Sequence, residues 1–515
     1  MCPGSRVDSP VAMREVGGNM AAGNGQGRGA ENGSRLRKAS LLTGVLILVS
    51  VLLLPSPATL SPLGWHTAGV VMLMALWWTT EAIPIAATAM LPLVLFPVLG
   101  ILDMPDAAAP YANDIVFLSM GGFLIAVAME RCGLHRRIAL GIVAAVGVQP
   151  RRLVLGFMLA AAFLSMWISN TATTAMMYPI GMAIAVLFRP QDQEGPFELG
   201  ICLMLGVAYA ATIGGVTTLI GTPPNAVLAA TASETLGVTI GFVDWMLVGV
   251  PIAIVFLPIG WLLLTRVLHP PGNLRGDASA VLEGERQKLG PMSRAERLVA
   301  VVFVLAAVAW VMRAPKQIGG FNIPGIQTFA PWVKDSTIAM AAALALFVVP
   351  TSWRRYEFAL DWQTANKIPW GIIVLFGGGL SMARAMSKTG LAEWIGSGVS
   401  QFEAWPIWLV LGGVAFLFLF LTEVTSNVAT ATMAMPIMAG AASGLGIPPL
   451  QMMATAALAV SMAFMLPVAT PPNAIVFASG YVTVPQMARV GIWFNLISGL
   501  LVTIAASLLV PILLG

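Results

Sequence analysis

Long apolar runs separated by short polar stretches fill the chain after residue 40. Runs near 40–54, 62–80, 82–100, 113–130, 199–230, 242–268, 297–313, 337–350, 368–387, 450–480 and 486–514 have roughly the length a helix needs to cross about 30 Å of hydrocarbon. Two further apolar stretches, 153–188 and 404–441, are too long for one span and carry polar residues at their centres. They read as re-entrant hairpins, each returning to the side it entered from. The pattern therefore predicts an all-α polytopic membrane protein with about eleven transmembrane helices plus two hairpins.

Composition strengthens that reading. Of 515 residues, 58% are hydrophobic and only 10% charged, against about 25% charged in ordinary soluble proteins. A globular surface cannot absorb so much apolar sequence, whereas a bilayer can. The net charge of +4 comes without a basic stripe, so no nucleic-acid partner is expected. Three cysteines and three histidines give neither a disulfide framework nor metal-ligand spacing, and no organic cofactor is expected. Residues 1–38, rich in Gly, Asn, Ser and Arg, read as a disordered tail without a signal peptide.

The basic residues are informative about topology instead. Arg35, Arg37 and Lys38 put the N-terminus in the cytoplasm, and the acidic segment Asp103–Asp114 then falls outside. Arg131, Arg136, Arg137, Arg151, Arg152, the polar linker 269–297, and Arg354 with Arg355 all fall inside if each hairpin returns to its own side. The C-terminus ends outside, in a cytoplasmic (inner) cell membrane.

The chain also repeats itself. Gly122–Leu134 aligns with Gly379–Leu391, and Ser169-Asn170-Thr171-Ala172-Thr173 aligns with Ser426-Asn427-Val428-Ala429-Thr430, both 257 positions apart. Gly221-Thr222-Pro223-Pro224-Asn225 aligns with Ala469-Thr470-Pro471-Pro472-Asn473, 248 positions apart. An odd number of crossings between the copies inverts the second. The expected organisation is a first repeat at 39–268 (hairpin 153–188, broken helix 199–230), the linker, and a second repeat at 298–515 (hairpin 404–441, broken helix 450–480). Inverted repeats with polar, broken segments at matching positions point to a transporter whose site lies between the halves near the midplane.

The chemistry sits at those segments. Small polar residues at a hairpin tip let the backbone turn, and exposed backbone groups at membrane depth need protein, water or ligand to satisfy them. The helix N-terminus after each tip favours an anion. An Asn amide offers a carbonyl to a cation and an NH₂ to a carboxylate. Paired prolines remove donors and break the helix, which frees carbonyls for a hard cation such as Na⁺. One Ser-Asn pair would more simply be a bond between helices; the symmetric pair favours a binding site. Neither tip and neither break contains Arg or Lys, so a dianion there needs sodium ions or helix N-termini as its positive partner.

With these motifs, and Trp78-Thr79-Thr80-Glu81-Ala82-Ile83-Pro84 leading into the third span, nearly the whole chain after residue 40 resembles the divalent anion/sodium symporter family. The resemblance implies sodium-coupled symport of C4-dicarboxylates of the succinate, malate and fumarate class by an elevator motion within a homodimer. It implies one sodium site around Ser165, Ser169, Asn170 and Gly221, and another around Thr422, Thr425, Asn427 and Ala469. Substrate would meet Asn170, Thr171, Asn427, Val428, Thr222, Pro223, Thr470 and Pro471. Val428 departs from the family's Thr and removes one hydroxyl from the second tip.

Alternatives stay open at this point. They are a sodium-independent dicarboxylate exchanger and a carrier of citrate or sulfate. No nucleophile–base pair or zinc-binding motif suggests an enzyme. Glu423, three residues before Ser426, either tunes a cation site, binds protons or supports the hairpin. Glu81, Glu130 and Arg384 fall near span ends, where interfacial or structural roles are expected.

Overall fold

In the computed structural model, residues 23–189, 197–272, 278–318 and 321–514 are described. The first half contains α1 (Gly23–Leu53), α2 (Pro62–Thr80), α3 (Asp114–Cys132), α4 (Pro150–Ser165), α5 (Asn170–Phe188), α6 (Glu198–Gly215), α7 (Pro223–Leu236) and α8 (Phe242–Leu262). The second half contains α9 (Arg294–Val311), α10 (Asp335–Val348), α11 (Trp370–Lys388), α12 (Ile407–Leu421), α13 (Asn427–Gly444), α14 (Pro449–Val460), α15 (Pro471–Phe477) and α16 (Val484–Leu513). The two segments expected as hairpins are thus helix–break–helix units, α4–α5 and α12–α13. The two Thr-Pro-Pro-Asn motifs separate α6 from α7 and α14 from α15.

Among the described residues, seven helices are long and apolar enough to cross a membrane, or eight if the bent unit Leu391–Phe402 with Ile407–Leu421, turned by 118°, is one span. The sequence pattern counts more, partly because some runs are interrupted and partly because the helices Pro62–Thr80, Arg294–Val311 and Asp335–Val348, though unbroken, are shorter, more charged or less apolar. The run 82–100 divides into helices Ile85–Thr88 and Leu91–Val98, and the runs 199–230 and 450–480 divide at their prolines. Conversely, Asn170–Phe188, expected as half of a hairpin, has by itself the length and apolarity of a span.

Two other expectations differ. The tail was expected to be disordered to residue 38, but α1 runs back to Gly23, with its apolar portion at Arg35–Leu53; residues 1–22 of that tail lie outside the described residues. Extending a helix that is already nucleated is far easier than starting one. The fold is also not purely helical. Antiparallel hairpins pair β1 (Lys316–Ile318) with β2 (Phe321–Ile323), and β3 (Pro350–Ser352) with β4 (Glu357–Phe358). They lie in polar connections, where backbone groups find partners across a tight reversal.

The linker is partly helical, with Ser279–Leu289 tied back to helix Leu134–Val146 by an Arg136–Glu285 ion pair. Hydrogen bonding from Lys288, reinforced by Arg136, holds the Glu285 carboxyl below the usual carboxylate range.

The break-bearing helices form the centre. α6 is buried almost throughout, packed by α4 and α5. Its Tyr209 hydroxyl donates to Phe464 O at 2.7 Å, joining the first half to the second break. Tyr209, Phe256, Phe464 and Phe494 pack ring against ring around that bond. On the other side, Trp245 Nε1 of α8 donates to Val216 O in the first break at 3.0 Å. Both breaks are therefore held against one apolar core.

Candidate functional site

Each tip folds for a readable local reason. Ser169, extended at φ −57° and ψ 144°, caps α5 by accepting from Ala172 N at 3.2 Å. Ser426 holds the equivalent extended position before α13. Thr222 and Thr470 have nearly the same backbone geometry, φ −141° with ψ 139° and 148°, and each precedes proline at the first helical position. A proline fits there because its missing N–H has no intrahelical partner anyway. Thr470 Oγ1 also accepts from Asn473 N at 3.3 Å.

The side chains behind the tips match in pairs. Ser165 Oγ donates to Asn170 Oδ1 at 2.5 Å, and Thr422 Oγ1 donates to Asn427 Oδ1 at 2.6 Å. Asn225 Nδ2 donates to Thr218 O at 2.7 Å, and Asn473 Nδ2 donates to Leu466 O at 3.0 Å. The first pair keeps the spacing of 257 and the second the spacing of 248, so the motif alignment extends to the hydrogen bonds.

These elements meet at one cavity of about 850 Å³. Ser169, Asn170, Thr171, Gly221, Thr222, Pro223, Thr425, Asn427, Val428, Ala469, Thr470 and Pro471 all line it. Ser165 and Thr422 do not; both are fully buried beneath it and reach it through the two Asn side chains.

Near the first tip, backbone and side-chain oxygens crowd where two glycines leave room. A Cβ on Gly215 would stand 2.4 Å from Asn170 Oδ1, and one on Gly221 would stand 2.5 Å from Gly215 O and 2.9 Å from Ser165 O. Such a set of neutral, hard oxygens suits Na⁺. Near the second tip, Thr422 Oγ1 lies 3.0 Å from Val460 O, and Thr425 Oγ1 lies 2.7 Å from Thr430 Oγ1. Among the described residues no group of three or more His, Cys, Asp or Glu side chains is placed to hold a metal ion.

Glu423 has a definite place. Its buried carboxylate accepts from three consecutive backbone amides of the second break: Phe464 N at 2.8 Å, Met465 N at 3.0 Å and Leu466 N at 3.1 Å. Asn495 Nδ2 of α16 donates to it as well, at 2.7 Å. These bonds use the lone pairs of both oxygens, and Glu423 does not line the cavity. Of the roles open to it, structural support is the one this geometry describes.

Several further lining residues lie outside the tip and break motifs. Phe123, Ala126, Val127 and Glu130 of α3 form one wall, and Lys367, Pro369 and Ile372 contribute at the start of α11. Arg37 and Glu81, 3.6 Å apart, also border the cavity. Its deep part has no basic residue, but its rim does. The α3 residues fall in the repeated block Gly122–Leu134 and Glu81 in the run Trp78–Pro84, but neither pattern marks a residue as lining a cavity; Lys367, a charge just ahead of an apolar run, was a further weak signal.

Comparisons with known proteins agree with this architecture. The family model for the sodium:sulfate symporter transmembrane region matches residues 36–515. Over 483 residues the chain is 41% identical to the sodium-dependent dicarboxylate transporter SdcS of Staphylococcus saprophyticus, covering 92% of each chain. The SdcS of Staphylococcus aureus is 41% identical as well, with 92% of this chain and 91% of the relative covered. Among solved structures, the Alcanivorax borkumensis YdaH transporter superposes with a TM-score of 0.59 at 12% identity, over 92% of this chain and 98% of its own. Neisseria gonorrhoeae MtrF, from a class of antimetabolite efflux pumps, gives 0.56 at 11% identity, over 91% and 94%. At such low identity these two speak for the fold alone.

Proposed function

The chain belongs to the sodium:sulfate symporter family, and we propose that it carries small dicarboxylates across a membrane by sodium-coupled symport. It is a multi-pass carrier rather than an enzyme. The observation that carries the reading is the convergence of both tips and both breaks on one cavity with no basic residue at its depth.

In this reading the substrate lies between the tips. One carboxylate meets Asn170, Thr171 and Thr222; the other meets Asn427 and Thr470, beside Val428, with Pro223 and Pro471 shaping the floor. The helices α5, α7 and α13 all begin at the cavity, and their N-termini favour negative charge. Sodium at the Ser165–Asn170–Gly221 set, with Ser169, and at the Thr422–Asn427–Ala469 set, with Thr425, supplies the remaining positive charge. Because the Asn side chains border both cation and anion, substrate binds well only when sodium is present.

The two halves act as inverted repeats, and an elevator motion within a homodimer moves the site across a cytoplasmic membrane. The rim residues Arg37 and Lys367 lie on the side that the distribution of basic residues assigns to the cytoplasm, so this conformation faces inward. The test is radiolabelled succinate uptake by proteoliposomes under an inward Na⁺ gradient, compared with choline. Sodium-driven accumulation is expected, with loss of at least about tenfold in Asn170→Ala and in Asn427→Ala. Uptake that ignores sodium but requires internal dicarboxylate would replace symport by exchange.

A further inference from the structure

We infer that the ion pair between Arg384 of α11 and Glu234 of α7 is a latch holding the molecule in its present conformation, a reading that rests on the alternating-access transport proposed above. Arg384 Nε donates to Glu234 Oε1, and Arg384 Nη1 donates to Asp106 O at 3.1 Å. Lys388, one turn further along α11, pairs with the Asp106 carboxylate. The Arg384 and Glu234 side chains retain 24% and 10% of their exposure, so water screens this pair less than an ordinary surface pair.

The pair stands at the far end of both helices from the mouth of the cavity. On α11 the cavity-lining Ile372 precedes Arg384 by about 18 Å of helix, and on α7 the cavity-lining Pro223 precedes Glu234 by about 16 Å. Between these points α7 packs directly on α11. The spacing of 257 makes α3 the counterpart of α11, and α15 is the counterpart of α7. Those two both border the cavity, α3 with Val127 and Glu130, α15 with Pro471 and its capping Thr470, without the close packing that α7 makes on α11. One of two corresponding seams is closed and the other open.

The asymmetry has a chemical basis. Val127 occupies the position in α3 that Arg384 occupies in α11. A valine cannot form the ion pair, so the open seam has no equivalent latch at that position. To expose the site on the opposite side, α7 must leave α11, and the Arg384–Glu234 pair must break. The pair therefore biases the equilibrium toward the conformation whose cavity opens at the α3–α15 seam.

The experiment reads cavity access without needing a substrate. In the full chain, with Cys2, Cys132 and Cys202 replaced by Ser, Ala126→Cys on the cavity wall is labelled by a membrane-impermeant maleimide in sided vesicles. Glu234→Gln and Arg384→Gln should each slow labelling from the mouth side about three- to fivefold. The exchange of Glu234→Arg with Arg384→Glu should restore it. Unchanged labelling in both single variants, or an exchange no better than either, overturns the latch. If the single variants do not fold, a Glu234→Cys, Arg384→Cys pair decides. Its oxidised form should stop uptake and recover on reduction; equal uptake in both forms overturns the proposal. If the Ala126→Cys variants label as expected but the unmodified chain carries no dicarboxylate, the transport reading is overturned and the latch stands.

Discussion

In the first half, the stretch between α6 and α7 is held by a hydroxyl. Thr218 Oγ1 donates to Met166 O at 2.5 Å and accepts from Gly221 N at 3.0 Å, while Asn225 ties the same turn. In the second half, the stretch between α14 and α15 is held by a carboxylate, with Glu423 gathering three amides and Asn495. Met166 and Glu423 are counterparts at the spacing of 257, so one position supplies a backbone acceptor in one half and an ionisable side chain in the other. The breaks share an outline, fixed by Thr-Pro-Pro-Asn, but not a fastening. A repeated motif thus specifies where the helix stops, while what secures the freed backbone is chosen separately in each half.

The comparison can be broken by substitution, and the largest effect belongs to Glu423. Glu423→Gln puts a donor against backbone donors at a buried site, and hydrogen bonds to a charged acceptor are worth about 1.5–3 kcal/mol each. We expect a loss of at least about 3 kcal/mol, read as a large drop in the thermal midpoint of the purified protein and loss of uptake. Glu423→Asp keeps the charge but shortens the reach, and should fail nearly as badly; full activity in that variant would show that charge alone matters.

Thr218→Val should cost less, about 1–2 kcal/mol for a neutral buried bond and an orphaned amide. Its uptake should remain measurable with a weaker sodium dependence. An effect on stability as large as that of Glu423→Gln would mean that the two fastenings are equivalent after all.

The smallest effect is expected at the tips, where Thr171 and its counterpart Val428 both line the cavity. Val428→Thr offers a new hydroxyl, and one added hydrogen bond of about 1 kcal/mol would lower the succinate KM roughly fivefold. An unchanged KM would place the substrate away from this position.

The tips and breaks were legible in the sequence because prolines and small polar residues are conspicuous in apolar surroundings and because they recur. The walls were not. Ala126 and Val127 are apolar residues in an apolar helix, and no local pattern separates a residue lining a cavity from one packing in the core. Glu423 was visible as an anomaly, but its three amide partners lie some forty positions away in the chain, so only the fold could choose among its roles. Arg384 and Glu234 are separated by 150 positions; Arg384 read as a charge near a span end, and nothing local in the sequence singled out Glu234 as its partner. Hydropathy averages across a break, so the runs 82–100 and 450–480 read as single spans where the chain divides into shorter helices.

The most direct measurement is the flux ratio of ²²Na⁺ to ¹⁴C-succinate in the same proteoliposomes, with external sodium and succinate varied independently. Two cation sites flanking one anion predict at least two sodium ions entering with each succinate, and a fall in the ratio when Ser165→Ala or Thr422→Ala removes a hydroxyl from one site. Succinate entry without accompanying sodium would contradict the account.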